Sequence, residues 1–309
     1  MSFLELEDLR CPSCGMALAE SATPKSTFTC TGCDSAYGAI GAIPVLLSSN
    51  NDLFAPEMYS EDSRVKTRPD RSIKISRSVN LAQDRVLRNI ASRLKSRNKP
   101  LLLIIGSGAQ AEAVRLHLRE IEDLKIVATD IDVNADVDYL CDAHNLPFRD
   151  DLFDAIFTTA VLEHVLRPEG VVKEMIRVIK HEGLVYSELP FMQQVHEGAY
   201  DFTRYSMTGH RWLFRHFEQI ESGLVAGPGT ALLWSIEHFA MAFFSNATAA
   251  KLVRIAVRIL FIWLKFFDYY LVKKPGAEDS ASCTFFYGWL NSGEKTASEI
   301  IELYRGHKK

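Results

Sequence analysis

The sequence has no excess of positive charge: 35 Lys and Arg stand against 39 Asp and Glu, a formal net charge of -4. It therefore lacks the general attraction to polyanions of a basic chain, and charge does not favour nucleic acid as a partner. Cysteine is scarce, and four of the six residues fall in two CxxC pairs, unlike the scattered even set of a secreted disulfide scaffold. The N-terminus, MSFLELEDLR, has no basic stretch leading into a long apolar run. No secretory signal is expected, and the cytoplasm is the expected compartment. Apolar residues, in contrast, are plentiful: 47% of the chain is hydrophobic, ample for a buried core.

The two CxxC pairs are Cys11-Pro-Ser-Cys14 and Cys30-Thr-Gly-Cys33. Each such turn aims two thiolates at one ion, and two turns complete a tetrahedral site with no open position for a substrate water. Cys11, Cys14, Cys30 and Cys33 are thus the expected ligands of a structural Zn2+ in a zinc ribbon spanning 1–50. So small a module draws its folding free energy from the metal. After the last pair comes YGAIGAIPVLL, which resembles the ending of small zinc-ribbon proteins and domains that accompany several methyltransferases. Some bacterial ribosomal-RNA guanine methyltransferases also begin with a zinc knuckle, with His where this chain has Cys33. Residues 51–76, rich in charge, Ser and Asn without periodicity, read as a linker, and 77–309 as the main domain.

Within the main domain, apolar residues at helical spacing over 81–94 predict an amphipathic helix. Strands are expected at 101–105, 125–129, 137–140, 155–159 and 183–189, separated by helical patterns such as 169–180. Alternating strands and helices imply a doubly wound, mostly parallel sheet whose ligands lie beyond the carboxyl ends of the strands. Four patterns sit at those ends: LLLIIGSGAQ, ATDID, CDAHNLPF and FDAIFTTAVLEHV. Gly106-Ser-Gly108 lets backbone N–H groups approach a ligand at a strand-to-helix turn. Asp130, ending the next strand, can accept hydrogen bonds from ribose hydroxyls, with Asp132 as its rival.

These patterns resemble the class I S-adenosylmethionine-dependent methyltransferases of the broad type 11-like group, whose signature reads D-A-x-x-L-P-F followed by L-E-H-V. The resemblance implies an α/β fold built on a seven-stranded Rossmann-like sheet. It also implies S-adenosylmethionine as cofactor and methyl transfer as the activity. On it, Gly106, Ser107, Gly108, Asp130 and Ile131 hold the methionine and ribose portions, Asp142 with Ala143 lies by the adenine, and Leu162 and His164 line the methionine side. Two positions depart from the family pattern. Ile104 stands where Asp or Glu is usual, and Gln110 where a third glycine is usual.

After the fifth strand, LPFMQQVHEGAYDFTRYSMTGHRWLFRHF clusters polar groups where an acceptor would approach. It resembles a segment of a subset of these enzymes associated with cell-envelope or glycan loci. His196 is the expected general base for a hydroxyl acceptor. Tyr200, Asp201, Arg204 and Tyr205 are expected substrate contacts, with a bracing network of His196, Asp201 and Arg204 as the alternative. A closing hairpin at 218–226 and 282–290 is interrupted by an apolar, helical insertion, about 230–275, that carries Trp234, Phe239, Phe243, Trp263 and Phe266. Lys251, Arg254, Arg258 and Lys265 recur at helical spacing and argue against a spanning helix. Over 230–272 the open readings are a membrane-surface anchor, a lid, and a homodimer face. The expected activity is methyl transfer to a small-molecule, glycan or lipid-linked acceptor, with O-methylation preferred. The alternatives are an RNA methyltransferase using the ribbon as its RNA-binding module, and a degenerate scaffold protein.

Overall fold

Strands covered on both faces read as unbroken apolar runs, and LLLII and FDAIFTT are such runs at the centre of the sheet. The computed structural model of the protein describes residues 4–21, 27–51, 53–54, 58–59, 76, 78–108 and 110–307. Most of the expected linker, 51–76, lies outside the described residues.

The N-terminal module contributes β1 (Leu18–Glu20), β2 (Phe28–Cys30) and β3 (Ala36–Tyr37), a small antiparallel sheet, and then a hairpin of β4 (Ala39–Ile40) and β5 (Ile43–Leu46). Helix α1 (Gln83–Leu94) follows. Next come β6 (Leu101–Ile105), α2 (Gln110–Leu118), β7 (Lys125–Asp130), β8 (Tyr139–Cys141), β9 (Phe153–Thr159), α3 (Pro168–Val178) and β10 (Ile179–Pro190). The chain closes with α4 (Met207–Leu213), β11 (Phe217–Ala226), the insertion helices α5 (Pro228–Met241), α6 (Ala247–Phe261) and α7 (Asp268–Leu271), then β12 (Cys283–Leu290) and α8 (Ala297–Glu302).

The main sheet runs in the order β11-β12-β10-β9-β6-β7-β8-β5-β4. Its centre is parallel, and β12 runs antiparallel to both β10 and β11. The seven strands expected for the main domain are present, and the N-terminal hairpin adds two more. Val45 and Leu46 of β5 pair in parallel with Leu140 and Cys141 of β8, so the hairpin covers an edge whose N–H and C=O groups would otherwise be open. Period-2 alternation sends Leu103 and Ile105 to one face, against α3, and Leu102 and Ile104 to the other, against α1. Cys11, Cys30 and Tyr37 of the ribbon share the first of these cores with Tyr139 and Phe148. The ribbon is therefore packed into the main body.

The insertion is anchored by one carboxylate. Asp268, 1% exposed, accepts hydrogen bonds from the Gly227, Gly229 and Thr230 N–H groups at 3.0, 2.7 and 3.0 Å, and so caps the N-terminus of α5. A Cβ at Gly229 would lie 2.1 Å from the Leu264 carbonyl oxygen, so the approach of these segments requires glycine.

His210 of α4 is fully buried, with its ring nitrogens 3.0 Å from Thr284 Oγ1 and 3.1 Å from Ser187 Oγ. Burial first, and the Arg211 charge second, push its pKa down to about 3. The unfolded chain gains a proton here below about pH 6.5 that the native state refuses. Stability from this residue is complete above that pH and declines as pH falls toward 3, by up to about 1.4 kcal/mol per pH unit. His210→Gln should flatten the pH dependence of urea unfolding between pH 6.5 and 4. An unchanged slope would assign the acid sensitivity to other groups.

Candidate functional site

The chain leaves β6 toward β7 and β8 on one side and returns to β9 on the other, so a crevice opens beyond the ends of β6 and β9. Gly106 and Gly108 at the end of β6 have φ of +65° and +39°, the left-handed region that glycine enters without strain. A Cβ on Gly106 would meet Val161 Cγ2 at 2.2 Å, whereas one on Gly108 would meet nothing within 4 Å. The first glycine lets the two turns touch, and the second leaves an open cradle. The Ser107 N–H donates to the Thr129 carbonyl at 2.9 Å. Ser107 Oγ and Thr159 Oγ1 are buried without a hydrogen-bond partner among the described residues.

Asp130 organises the floor of this crevice. Its Oδ2 accepts from the Gly108 N–H at 2.9 Å, and its Oδ1 from the Ile131 and Asp132 N–H groups at 2.7 and 2.9 Å. Asp132 instead accepts from the Asn134 N–H at 2.9 Å and closes the following turn. Asp142 Oδ1 accepts from the His144 N–H at 2.9 Å and faces His144 Nδ1 at 2.8 Å, while Oδ2 accepts from Asn51 Nδ2 at 2.5 Å. Burial alone would raise the Asp142 pKa, but His144 and Asn51 outweigh it and hold the carboxyl below its ordinary value. Ala143 and Leu162 pack into the core, Leu162 fully buried. Ile104 is a core residue of the α1 face, and Gln110 opens α2, its Oε1 3.4 Å from Gln83 Nε2.

The unpartnered hydroxyls, the open space at Gly108 and the Asp130 carboxylate together fit a nucleoside cofactor with a charged tail. Isolated residues after β5, which no pattern singled out, also reach this wall. Besides Asn51, Tyr59 donates its hydroxyl hydrogen to the Ile131 carbonyl at 2.9 Å. The Phe54 ring stacks with Tyr200 at 6.3 Å between centroids. Their only signal in the sequence is the pair of aromatic residues, Phe54 and Tyr59, soon after β5.

Opposite lies the expected acceptor side. His164 Nε2 and His196 Nε2 face each other at 3.2 Å, and Glu163 Oε1 stands 3.6 and 3.7 Å from them. Glu163 is fully buried; neither of its carboxylate oxygens has a hydrogen-bond partner among the described residues. The carboxylate raises the His196 pKa above its ordinary value against the opposing effect of burial. Nothing in the LEHV pattern announced Glu163 as more than a spacer beside His164.

The expected substrate contacts divide. Arg204 donates from Nε to the Gln193 carbonyl, from Nη1 to Asp201 and the Thr203 carbonyl, and from Nη2 to Asp201 and the Gln194 carbonyl. That uses all five guanidinium N–H groups, so Arg204 braces the loop and has no donor left for an acceptor molecule. Asp201 also accepts from the His196 backbone N–H at 3.0 Å, and Arg204 beside it pulls its pKa down to about 2. Tyr205 packs against the core, while the Tyr200 ring is exposed and its carbonyl faces His164 Nδ1 at 2.8 Å. From the insertion, the Trp234 ring lies 6.4 Å from that of His196.

The sulfur atoms of Cys11, Cys14, Cys30 and Cys33 all lie within 4.8 Å of one another, with Cys11 and Cys33 3.7 Å apart and Cys14 and Cys30 3.4 Å apart. Thiolates about 2.3 Å from a tetrahedral Zn2+ stand about 3.8 Å apart, so the cluster fits a zinc ribbon with four protein ligands.

Residues 103–187 match the family model described as a methyltransferase domain. No curated protein matches the chain. Among solved structures, the chain is similar to the cyclase SpnF, at 18% identity over 69% of this chain and 82% of that one, with a TM-score of 0.41. It is similar to a chain of the Haloferax volcanii Trm112 methyltransferase activator complex, at 17% identity over 68% and 94%, with a TM-score of 0.41. Haemonchus contortus phosphoethanolamine N-methyltransferase 2 in complex with S-adenosyl-L-methionine matches at 15% identity over 69% and 53%, with a TM-score of 0.43.

Asp130→Ala removes a charged acceptor and releases the Gly108 turn. Calorimetric titration with S-adenosylmethionine should show affinity about 10- to 100-fold weaker than in the unmodified chain, the worth of one hydrogen bond to a charged group. Equal affinities would take Asp130 out of the cofactor site.

Proposed function

We propose that this chain, which carries a methyltransferase domain, transfers a methyl group from S-adenosylmethionine to an oxygen of a small, glycan or lipid-linked acceptor. The observation that carries the reading is the pairing of a glycine-turn crevice with the Glu163, His164 and His196 cluster across one switch point. When bound, S-adenosylmethionine supplies an electrophilic methyl group on a sulfonium. Gly106, Ser107, Gly108 and Asp130 would hold it at the ends of β6 and β7, with Asn51 and Asp142 at the far wall.

In-line displacement needs an aligned, desolvated nucleophile more than strong acid catalysis. The 193–205 loop meets that need, since Arg204 and Asp201 fix its course and Trp234 covers His196. Of the groups facing the acceptor position, His196 is the proposed proton acceptor for a hydroxyl. His196→Ala should lower methyl release from radiolabelled cofactor about a hundredfold on a hydroxyl acceptor found by screening sugars and glycolipids. Unchanged turnover removes His196 from the reaction. Labelling of RNA alone would overturn the acceptor class.

The insertion favours an acceptor at a membrane surface. Among the described residues no helix is long and apolar enough to cross a membrane. The outward face of α6 nevertheless carries Leu252, Ile255 and Ile259, continued by exposed Trp263, Phe266 and Phe267. Beside that face, Arg258 donates to buried Glu237 at 2.9 and 3.0 Å. Glu237 and Asp268, the acidic residues of 228–274, are buried, and the exposed charges there are Lys251, Arg254, Lys273 and Lys274. An apolar face rimmed only by positive charge complements an anionic bilayer better than a second basic copy of itself. The full chain should float with vesicles containing about 30% phosphatidylserine, and Ile259→Glu with Phe266→Glu should weaken that binding about tenfold or more. A vesicle-free dimer dissociated by the same substitutions would overturn the membrane reading.

A further inference from the structure

We propose that Glu163, His164 and His196 form a second metal centre, an open three-ligand site for a divalent transition ion such as Zn2+, distinct from the four-cysteine ribbon. The proposal rests on the methyl-transfer reading for the purpose of the ion and gives His196 a ligand's role there in place of the base's, while the site itself stands on geometry.

Three observations converge. Glu163 is 0% exposed, and both its oxygens lack hydrogen-bond partners among the described residues. A bare carboxylate in such surroundings is costly unless a cation meets it. The imidazoles give the second observation. The outer nitrogen of each ring has a protein acceptor: His164 Nδ1 lies 2.8 Å from the Tyr200 carbonyl, and His196 Nδ1 3.4 Å from both Asp201 Oδ2 and the Gln194 carbonyl, nearer than the Gln193 amide nitrogen at 3.5 Å. With Nδ1 protonated in both, two Nε2 lone pairs confront each other at 3.2 Å beside a carboxylate, an arrangement that repels until a cation enters. An outer hydrogen bond of this kind to a carbonyl or carboxylate is also how metal-bound histidines are held.

The third observation is the size of the triangle. Nitrogen and oxygen ligands at about 2.0–2.2 Å from a tetrahedral ion stand about 3.3–3.5 Å apart. The three separations here are 3.2, 3.6 and 3.7 Å, so small side-chain adjustments suffice to seat the ion. Two imidazoles and one carboxylate select a borderline ion such as Zn2+ and leave the fourth position open, unlike the closed sulfur set of the ribbon.

The fourth position, left open by three protein ligands, would suit the acceptor. Its hydroxyl oxygen would take the fourth place, where the ion lowers the hydroxyl pKa. The O–H bond would then break, its proton passing to the uncoordinated oxygen of Glu163 and on to water. The alkoxide oxygen would bond to the sulfonium methyl carbon while the carbon–sulfur electron pair returned to sulfur. The products are a methyl ether, S-adenosylhomocysteine and one proton. In this scheme His196 is a ligand, and its lone pair is not available as a base.

The test is metal content of the full chain after equilibration with Zn2+, read without cofactor or acceptor. About two Zn2+ per chain are expected, falling to about one in His164→Ala with His196→Ala, and Glu163→Gln should weaken the second ion about a hundredfold or more. Cobalt gives a separate readout on the unaltered protein: a second equivalent should add d–d absorption without further thiolate charge transfer. One Zn2+ per chain, with cobalt reporting only thiolate ligation, overturns the site and leaves methyl transfer standing with His196 as base. Two Zn2+ per chain with no binding of S-adenosylmethionine would sink the methyl-transfer reading and keep the metal centre.

Discussion

The contact between the turns after β6 and β9 is the constraint on which the site depends. These strands are neighbours, Ile105 opposite Thr158, although the chain visits β7 and β8 between them. At the end of such a pair two turns must pass each other. They do so because position 106 has no Cβ and Val161 fills the vacated space. Ala160 completes the fit at φ +53°, a left-handed conformation for a non-glycine residue that the surrounding sheet must hold in place. One turn leads into Ser107 and Gly108, the other into Glu163 and His164. The glycine turn and the Glu163–His164 pair are thus set by a single contact, and a side chain added at 106 would move both.

The parts of the fold legible in the sequence were those governed by local periodicity. Unbroken apolar runs gave the central strands, helical spacing gave α1 and α3, and CxxC spacing gave the thiolate cluster. Pairing of β5 with β8 was not legible, because a parallel contact between segments so far apart leaves no trace in either one. Asn51 and Tyr59 were hidden for a similar reason: each acts through one long-range hydrogen bond. Glu163 was visible as a letter in a motif, but burial without a partner is a tertiary property. The bracing role of Arg204 emerged only when each of its donors could be traced to an acceptor.

The ribbon bears on the cofactor wall through shared packing. Cys11 and Cys30 lie in the same core as Tyr139 of β8, the strand that leads directly to Asp142. Leu46 of β5 stands opposite Cys141, and Asn51, a few residues later, reaches the Asp142 carboxylate. An ion ligated by the four thiolates would therefore stabilise the β5 and β8 edge as well as the knuckles. Arg149, bonded to Asp8 at 2.8 Å, adds a second tie. This differs from a tethered ribbon, which could be lost without consequence for the sheet.

The orientation of α6 is tied to Glu237. A fully buried carboxylate needs cationic partners, and Arg258 supplies two hydrogen bonds from α6. With Arg258 held against Glu237, Leu252, Ile255 and Ile259, which lie about 60° to 120° further round the helix, are left exposed. The ion pair thereby dictates that apolar surface faces away from the protein, where water solvates it poorly. Trp234 sits on the other side of the same helical unit and reaches His196. The exposed face of α6 is thus connected through α5, by way of Trp234, to the loop that carries His196.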